Sequence, residues 1–264
     1  MSTPLLKVDN LSVKFPASNF NAVDQVSFEL QAGETLGIVG ESGCGKSTLA
    51  RAILQLIKPS AGQVLWQAED LSQLNKKQMR AKRKELQVIF QDPLASLNPR
   101  MTIGEIIAEP LIALYPEISK SQRKQKVLAM MKKVGLLEST FNRYPHEFSG
   151  GQCQRVGIAR ALIVEPKLVI CDEPVSALDV SIQAQIINLL LDLKQEMDLA
   201  LIFIAHNLSV VELISDRVAV MYLGKIVEIA DAKTLYQSPK HPYTKALLSA
   251  ILEPYPKQRT VKPD

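Results

Sequence analysis

The sequence predicts an α/β fold built on a largely parallel sheet, interrupted by a helical insert. Three observations predict it. The runs TLGIVG (35–40), PKLVICDEP (166–174) and LALIFIAH (199–206) are apolar almost throughout, as strands covered on both faces of a parallel sheet are. Helical patterns separate these runs, and that alternation is what builds a parallel sheet. From about Asp92 to Leu137 the pattern is helical with little strand signal, so it breaks into the alternation.

Taken in order, Leu6, Val8, Leu11, Val13 and Phe15 lie near alternation, as do Val26, Phe28 and Leu30; each set reads as a half-buried strand. QAGE (31–34) is a turn. A helix is expected from Lys46 to about Ile57, stopped by KPSAG (58–62). AKRKELQVIFQDP (81–93) carries a basic run into a short apolar strand, and an amphipathic helical pattern runs from Thr102 to about Leu137. SIQAQIINLLLDLKQEM (181–197) sets Ile182, Ile186, Leu189, Leu190 and Leu193 on one helical face. RVAVMYLGKIVEIA (217–230) reads as a hairpin around Gly224, HPYTKALLSAIL (241–252) as a final helix, and EPYPKQRTVKPD (253–264) as a loose tail.

A chain of 264 residues allows one large domain or a core with a small insert. Its 47% hydrophobic and 22% charged residues are ordinary for a globular protein with an adequate core. A net charge of +4 fits a nucleotide ligand, an anionic membrane surface or a basic patch, and selects none of them. The basic run from Lys76 to Lys84 reads as a solvated helix face, because no aromatic residue is interleaved with it as a nucleic-acid surface would have. The start MSTPLLKVDN is not a secretory signal, and no window approaches the roughly 18 apolar residues of a membrane span. The cysteines, Cys44, Cys153 and Cys171, include no pair with zinc or redox spacing, which suggests a reducing, cytosolic compartment. Cys171 sits in an apolar run and reads as a small buried residue. Cys153 has two readings: a thiol of lowered pKa beside a helix start, or a tolerated small side chain.

Two stretches carry chemistry. Gly40, Glu41, Ser42, Gly43, Cys44, Gly45, Lys46, Ser47 and Thr48 match the phosphate-binding loop and lie between a predicted strand and a predicted helix, the context that pattern requires. The glycines let backbone N–H groups curl round phosphates, and the helix start adds its positive end. Lys46 is suited to reach the β- and γ-phosphates and Ser47 to ligate Mg²⁺. KLVICDE (167–173) ends a buried strand in two carboxylates, at the sheet edge where α/β proteins bind ligands. Asp172 is suited to hold Mg²⁺ through water, and Glu173 to polarise an attacking water.

With these, Gln91 after QVIF, FSGGQ (148–152), SALD (176–179) and His206 appear in an order that resembles the nucleotide-binding subunit of ATP-binding cassette (ABC) transporters, over almost the whole chain. The resemblance implies a phosphate-loop ABC ATPase core with an N-terminal antiparallel β subdomain and an inserted helical subdomain. It divides a single domain, 1–264, into a core of about 1–91 and 153–230, a helical insert of about 92–152 and a C-terminal extension at 231–264. It implies ATP and Mg²⁺ as ligands, with Gln91 touching Mg²⁺ or the lytic water and His206 the γ-phosphate. Asp179 would lie at a dimer interface. Ser149, Gly150, Gly151 and Gln152 would face the γ-phosphate held by a partner's loop. An aromatic before the loop would stack on adenine; Phe15 is the choice, with Phe20 as the alternative, and Phe15 is equally readable as strand core. Phe148 stands where leucine is usual in the signature, and Asn207 where an aspartate is frequent.

FQDPLASLNPR (90–100), RYPHEFSGGQ (143–152), VMYLGKIVE (220–228) and HPYTKALLSA (241–250) narrow the resemblance to the second ATPase subunit of bacterial dipeptide and oligopeptide importers, with nickel and antimicrobial-peptide systems as close relatives. It implies a second homologous ATPase, two transmembrane permeases and an external solute-binding protein, at the cytoplasmic face of the inner membrane. Some such subunits hold an iron–sulfur cluster in a cysteine-containing tail; with no cysteine after Cys171, no cluster is expected. A soluble ABC ATPase without a transport role is the reading from another class, but such proteins usually have tandem cassettes or a long coiled-coil insert, and neither is found.

Overall fold

A computed structural model describes residues 3–15 and 20–249. The tail expected to be loose, 253–264, lies outside the described residues.

The elements are β1 (Leu6–Lys14), β2 (Asn21–Leu30), β3 (Thr35–Val39), α1 (Lys46–Ile53), β4 (Ala61–Trp66), β5 (Glu69–Asp70), α2 (Lys76–Lys82), β6 (Leu86–Ile89), α3 (Ile103–Leu114), α4 (Lys120–Lys133), α5 (Gly150–Leu162), β7 (Leu168–Asp172), α6 (Val180–Met197), β8 (Ala200–Ile204), α7 (Leu208–Ile214), β9 (Arg217–Tyr222), β10 (Lys225–Asp231), α8 (Ala232–Gln237) and α9 (Pro242–Ser249). They form two sheets, ordered β2-β1-β4-β5 and β10-β9-β3-β8-β7-β6. The first is antiparallel. The second is parallel from β9 to β6 and closes with the antiparallel hairpin of β9 and β10.

Alternation along the parallel strands sorts their side chains into two cores. Val169, Cys171, Leu201, Phe203, Val218 and Val220 face the insert helices and α6. Leu168, Ile170, Ile202, Ile204 and Ala219 face α1 and the antiparallel sheet. A strand buried on both faces has no polar side to reveal its period, so its sequence is apolar throughout. Trp66 ties the sheets together: its indole N–H donates to Glu85 at 3.0 Å just before β6, and Glu85 also pairs with Lys167 at 3.2 Å.

The imperfect alternation in β1 has a local cause. The register shifts between Val8 and Leu11, and Asn10 takes φ 49° there. The extra residue restores the inward face, so Leu6, Val8, Leu11 and Val13 are all buried. Gly62 of β4 crosses this bulge at φ +80°, and a Cβ there would lie 2.3 Å from the Asn10 carbonyl.

One helical expectation is corrected, and the helical pattern of the insert resolves into separate helices. α1 ends at Ile53 rather than near Ile57, because Gln55 turns left-handed (φ 53°) and the Leu56 N–H closes back on the Arg51 carbonyl at 2.8 Å. No glycine announces this cap. The stretch from Thr102 to Leu137 is two helices. Pro116 pushes Tyr115 out of helical geometry (φ −133°, ψ 64°). Ser119 then caps α4 through a reciprocal bond with Gln122, as Thr102 caps α3 with Glu105. α5 runs unbroken across 152/153, the expected boundary between insert and core.

Phe203 is among the largest fully buried side chains. Phe203→Ala should lower unfolding free energy by about 3–5 kcal/mol, read as an earlier urea midpoint by far-UV circular dichroism.

Candidate active site

The loop between β3 and α1 is shaped by its neighbours. A Cβ on Gly45 (φ +108°) would lie 2.1 Å from the Ala22 carbonyl, and one on Gly40 (φ +150°) 2.1 Å from the Met221 carbonyl. A Cβ on Gly43 (φ +79°) would meet nothing within 4 Å. The loop is thus wedged between β2 and β9 at its ends and open in the middle. α1 has no side-chain cap and no acidic residue in its first turn. Its first N–H groups are therefore left for an anion, whereas α2 to α5 all carry capping boxes.

Lys46 is 4% exposed, and its ammonium donates to the Gly40 and Glu41 carbonyls at 2.8 Å each. A buried cation needs such partners. Ser47 Oγ donates to Asp172 Oδ1 at 2.8 Å, bridging α1 to the end of β7.

Sheet register assembles the other half. Ile89 pairs with Cys171, and Cys171 with Phe203, so β6, β7 and β8 end side by side. Gln91, Glu173 and His206 follow those ends within three residues. Glu173 is buried; one carboxylate oxygen accepts from Gln91 Nε2 at 2.8 Å and the other meets His206 Nε2. Its backbone is left-handed (φ 52°), and its N–H is anchored to the Ile204 carbonyl at 3.0 Å. A non-glycine residue in that region costs roughly 1–3 kcal/mol. The strain turns the carboxylate back between the two neighbouring strand ends. Lys46, Ser47, Asp172, Glu173, Gln91 and His206 are therefore brought to one edge of one sheet.

Ser149, Gly150, Gly151, Gln152 and Asp179 form a separate group. Ser149 and Gln152 cap the start of α5 reciprocally. Gly150 and Gly151 pack against Leu178 and Ile182, beside Asp179, which opens α6. A Cβ on Gly151 would lie 2.5 Å from Ile182 Cγ2, so a larger residue does not fit. Ser149, Gly150, Gln152 and Asp179 are exposed, and among the described residues none of this group hydrogen-bonds to the first. Phe15 and Phe20 are both exposed, which removes Phe15 from the strand core. The residues flanking them adjoin the loop: Lys14 pairs with Asn21, and the next carbonyl, Ala22, backs Gly45. One contact had no signal in the sequence: the Tyr243 hydroxyl accepts a hydrogen bond from the Glu41 N–H, 202 residues away.

The chain is similar to known proteins in sequence and in fold. The ABC transporter family profile matches residues 23–176, and the profile of the oligopeptide/dipeptide transporter C-terminal region matches 227–264. The chain is 61% identical to the oligopeptide transport ATP-binding protein OppF of Haemophilus influenzae, over 96% of this chain and 80% of that one. It is 58% identical to OppF of Escherichia coli, over 98% of this chain and 81% of that one. A solved dimer of the ATP-binding cassette MJ0796 in a post-hydrolysis state with ADP and Pi superposes with a TM-score of 0.78 at 29% identity, covering 86% of this chain and 98% of that one.

The cysteines are governed by burial. Desolvation pushes the Cys44 thiol up despite the neighbouring Lys46, and it pushes Cys153 up as well. Cys153 is fully buried against the Pro145 carbonyl, so burial prevails over any helix-start effect and the small-side-chain reading holds. Cys171, wholly enclosed, is pushed up to about 12. In native protein at pH 8, iodoacetamide should leave Cys171 unmodified while labelling it in urea, which peptide mass mapping checks.

Proposed function

Because the chain belongs to the ABC transporter family, we propose that it is the ATP-hydrolysing subunit that powers oligopeptide import through a bacterial ABC transporter. The observation that carries the hydrolytic reading is the Glu173 carboxylate held between Gln91 and His206, next to the Ser47–Asp172 pair. The names of the relatives favour peptides over nickel as cargo.

The residues fit ATP and Mg²⁺. Lys46 offers a buried ammonium, and the open middle of the loop and the uncapped start of α1 offer N–H groups to the phosphates. Among the described residues no cluster of three or more His, Cys, Asp or Glu forms a metal cage. Ser47 and, through water, Asp172 would instead hold Mg²⁺ together with phosphate oxygens, as that cation prefers. When bound, Mg²⁺ neutralises charge on the β- and γ-phosphate oxygens.

Glu173 acts as general base on the attacking water. Gln91, on one of its oxygens, orients it and touches Mg²⁺ or that water. His206, on the other oxygen, contacts the γ-phosphate. Phe15 supplies the surface for adenine. Gln91, Glu173 and His206 are preset by strand register, so little reorganisation is left to the reaction.

Ser149, Gly150, Gly151, Gln152 and Asp179 serve the other half of the machine. Exposed and apart from this chain's own loop, they face the nucleotide of a second, homologous ATPase, so two cassettes close over two ATP molecules. No described helix is long and apolar enough to cross a membrane. Transport then requires two permeases and an external solute-binding protein, with this chain at the cytoplasmic face of the inner membrane.

In the assembled transporter, Glu173→Gln should reduce ATP hydrolysis by about 100-fold or more and leave ATP binding intact; near-normal turnover would refute Glu173 as the base. Recovered from its native membrane in mild detergent, the chain should bring down two permeases and a different ATPase. Recovery of a single-cassette homodimer would overturn the heterodimer.

A further inference from the structure

Glu41, the second residue of the phosphate loop, has both of its backbone polar atoms engaged. Its carbonyl accepts from the Cys44 N–H at 3.3 Å and from Lys46 Nζ at 2.8 Å, both within the loop. Its N–H donates to the Tyr243 hydroxyl at 3.2 Å. Among the described residues, Tyr243 is the one partner of these atoms from outside the loop.

Tyr243 is itself held firmly. Its ring lies against Tyr222 at the end of β9, with centroids 4.2 Å apart. Its N–H donates to His241 Nδ1 at 3.2 Å. The Glu228 carboxylate on β10 accepts from the N–H groups of Lys240 and His241 at 2.8 and 2.9 Å, fixing the turn into α9. Burial pushes the Glu228 carboxyl up, but the hydrogen bonds it accepts more than offset this and hold it below its usual value. A chain of contacts thus runs from β10 through α9 to the loop.

The loop is where such a contact matters. Its glycines at 40, 43 and 45 all have positive φ, and a Cβ added at Gly43 would meet nothing within 4 Å. A glycine-rich loop loses much conformational freedom when it closes on a ligand, and any bond that orders it beforehand lowers that cost.

We propose that the Tyr243 hydroxyl is a positioning group for the phosphate loop, through which the segment from Glu228 to α9 sets nucleotide affinity and is itself ordered when nucleotide binds. The inference rests on the reading of the loop as the ATP site. The reverse effect follows from linkage, because a bond that favours the binding-ready loop is favoured by the ligand in turn.

Tyr243→Phe keeps the ring and its stacking and removes only the acceptor. The test uses the full chain titrated with MgATP, hydrogen exchange across residues 242–249 with and without MgATP, and the thermal midpoint without nucleotide. The variant should bind MgATP about three- to tenfold more weakly, the loss expected of one hydrogen bond, at an unchanged midpoint. In the assembled transporter, KM should rise with little change in kcat. MgATP should slow exchange in 242–249 in the wild type and not in the variant. Equal affinity and equal slowing in both proteins would overturn the proposal, as would weaker binding accompanied by a lower midpoint without nucleotide. Failure of the wild type to bind MgATP would overturn the underlying ATP reading instead.

Discussion

The register of β6, β7, β8 and β3 is the constraint on which the rest depends. Parallel pairing brings Ile89, Cys171, Phe203 and Gly37 into line across the sheet. Whatever follows each strand then emerges on one edge. Gln91, Glu173, His206 and the phosphate loop are far apart in sequence and adjacent for this reason alone. A slip of one residue in any strand would exchange its two faces and withdraw its functional side chain. The two hydrophobic cores prevent that slip, because each strand must satisfy both.

The same edge concentrates the structure's electrostatic and conformational cost. Lys46, Asp172 and Glu173 are buried charged residues among mostly apolar strands. Each has a specific partner: loop carbonyls for Lys46, the Ser47 hydroxyl for Asp172, and Gln91 with His206 for Glu173. Glu173 adds backbone strain. Strain at a site persists only when the surroundings over-determine it. Here the Ile204 carbonyl holds the Glu173 N–H, and Ser176 Oγ donates to the Glu173 carbonyl at 3.1 Å.

The elements around the edge connect it to the outer parts of the chain. α5 begins at the Ser149–Gln152 turn and ends deep in the core, so one continuous helix joins that turn to the core. The antiparallel sheet supplies the Ala22 carbonyl behind Gly45, and β9 supplies the Met221 carbonyl behind Gly40. From the far end of the chain, α9 reaches the loop through Tyr243. Loop shape is therefore set by three segments that are remote in sequence.

Much of this was legible in the amino-acid order. Apolar runs marked the parallel strands, because burial on both faces leaves no polar position. Gly40 to Thr48 stood out because phosphate loops use a small menu of residues at short spacing, Asp172–Glu173 because two carboxylates end a buried strand, and Ser149–Gln152 through its resemblance to a family signature. The sequence did not disclose the early end of α1, where Gln55 takes the left-handed cap without a glycine to signal it. Nor did it reveal the bulge at Asn10, the strain at Glu173 or the Tyr243 contact. Each of these is decided by an atom from a distant segment or by a backbone angle that residue identity leaves open. Local patterns of polarity and spacing determine which elements form and what chemistry they carry; long-range packing determines which of them meet.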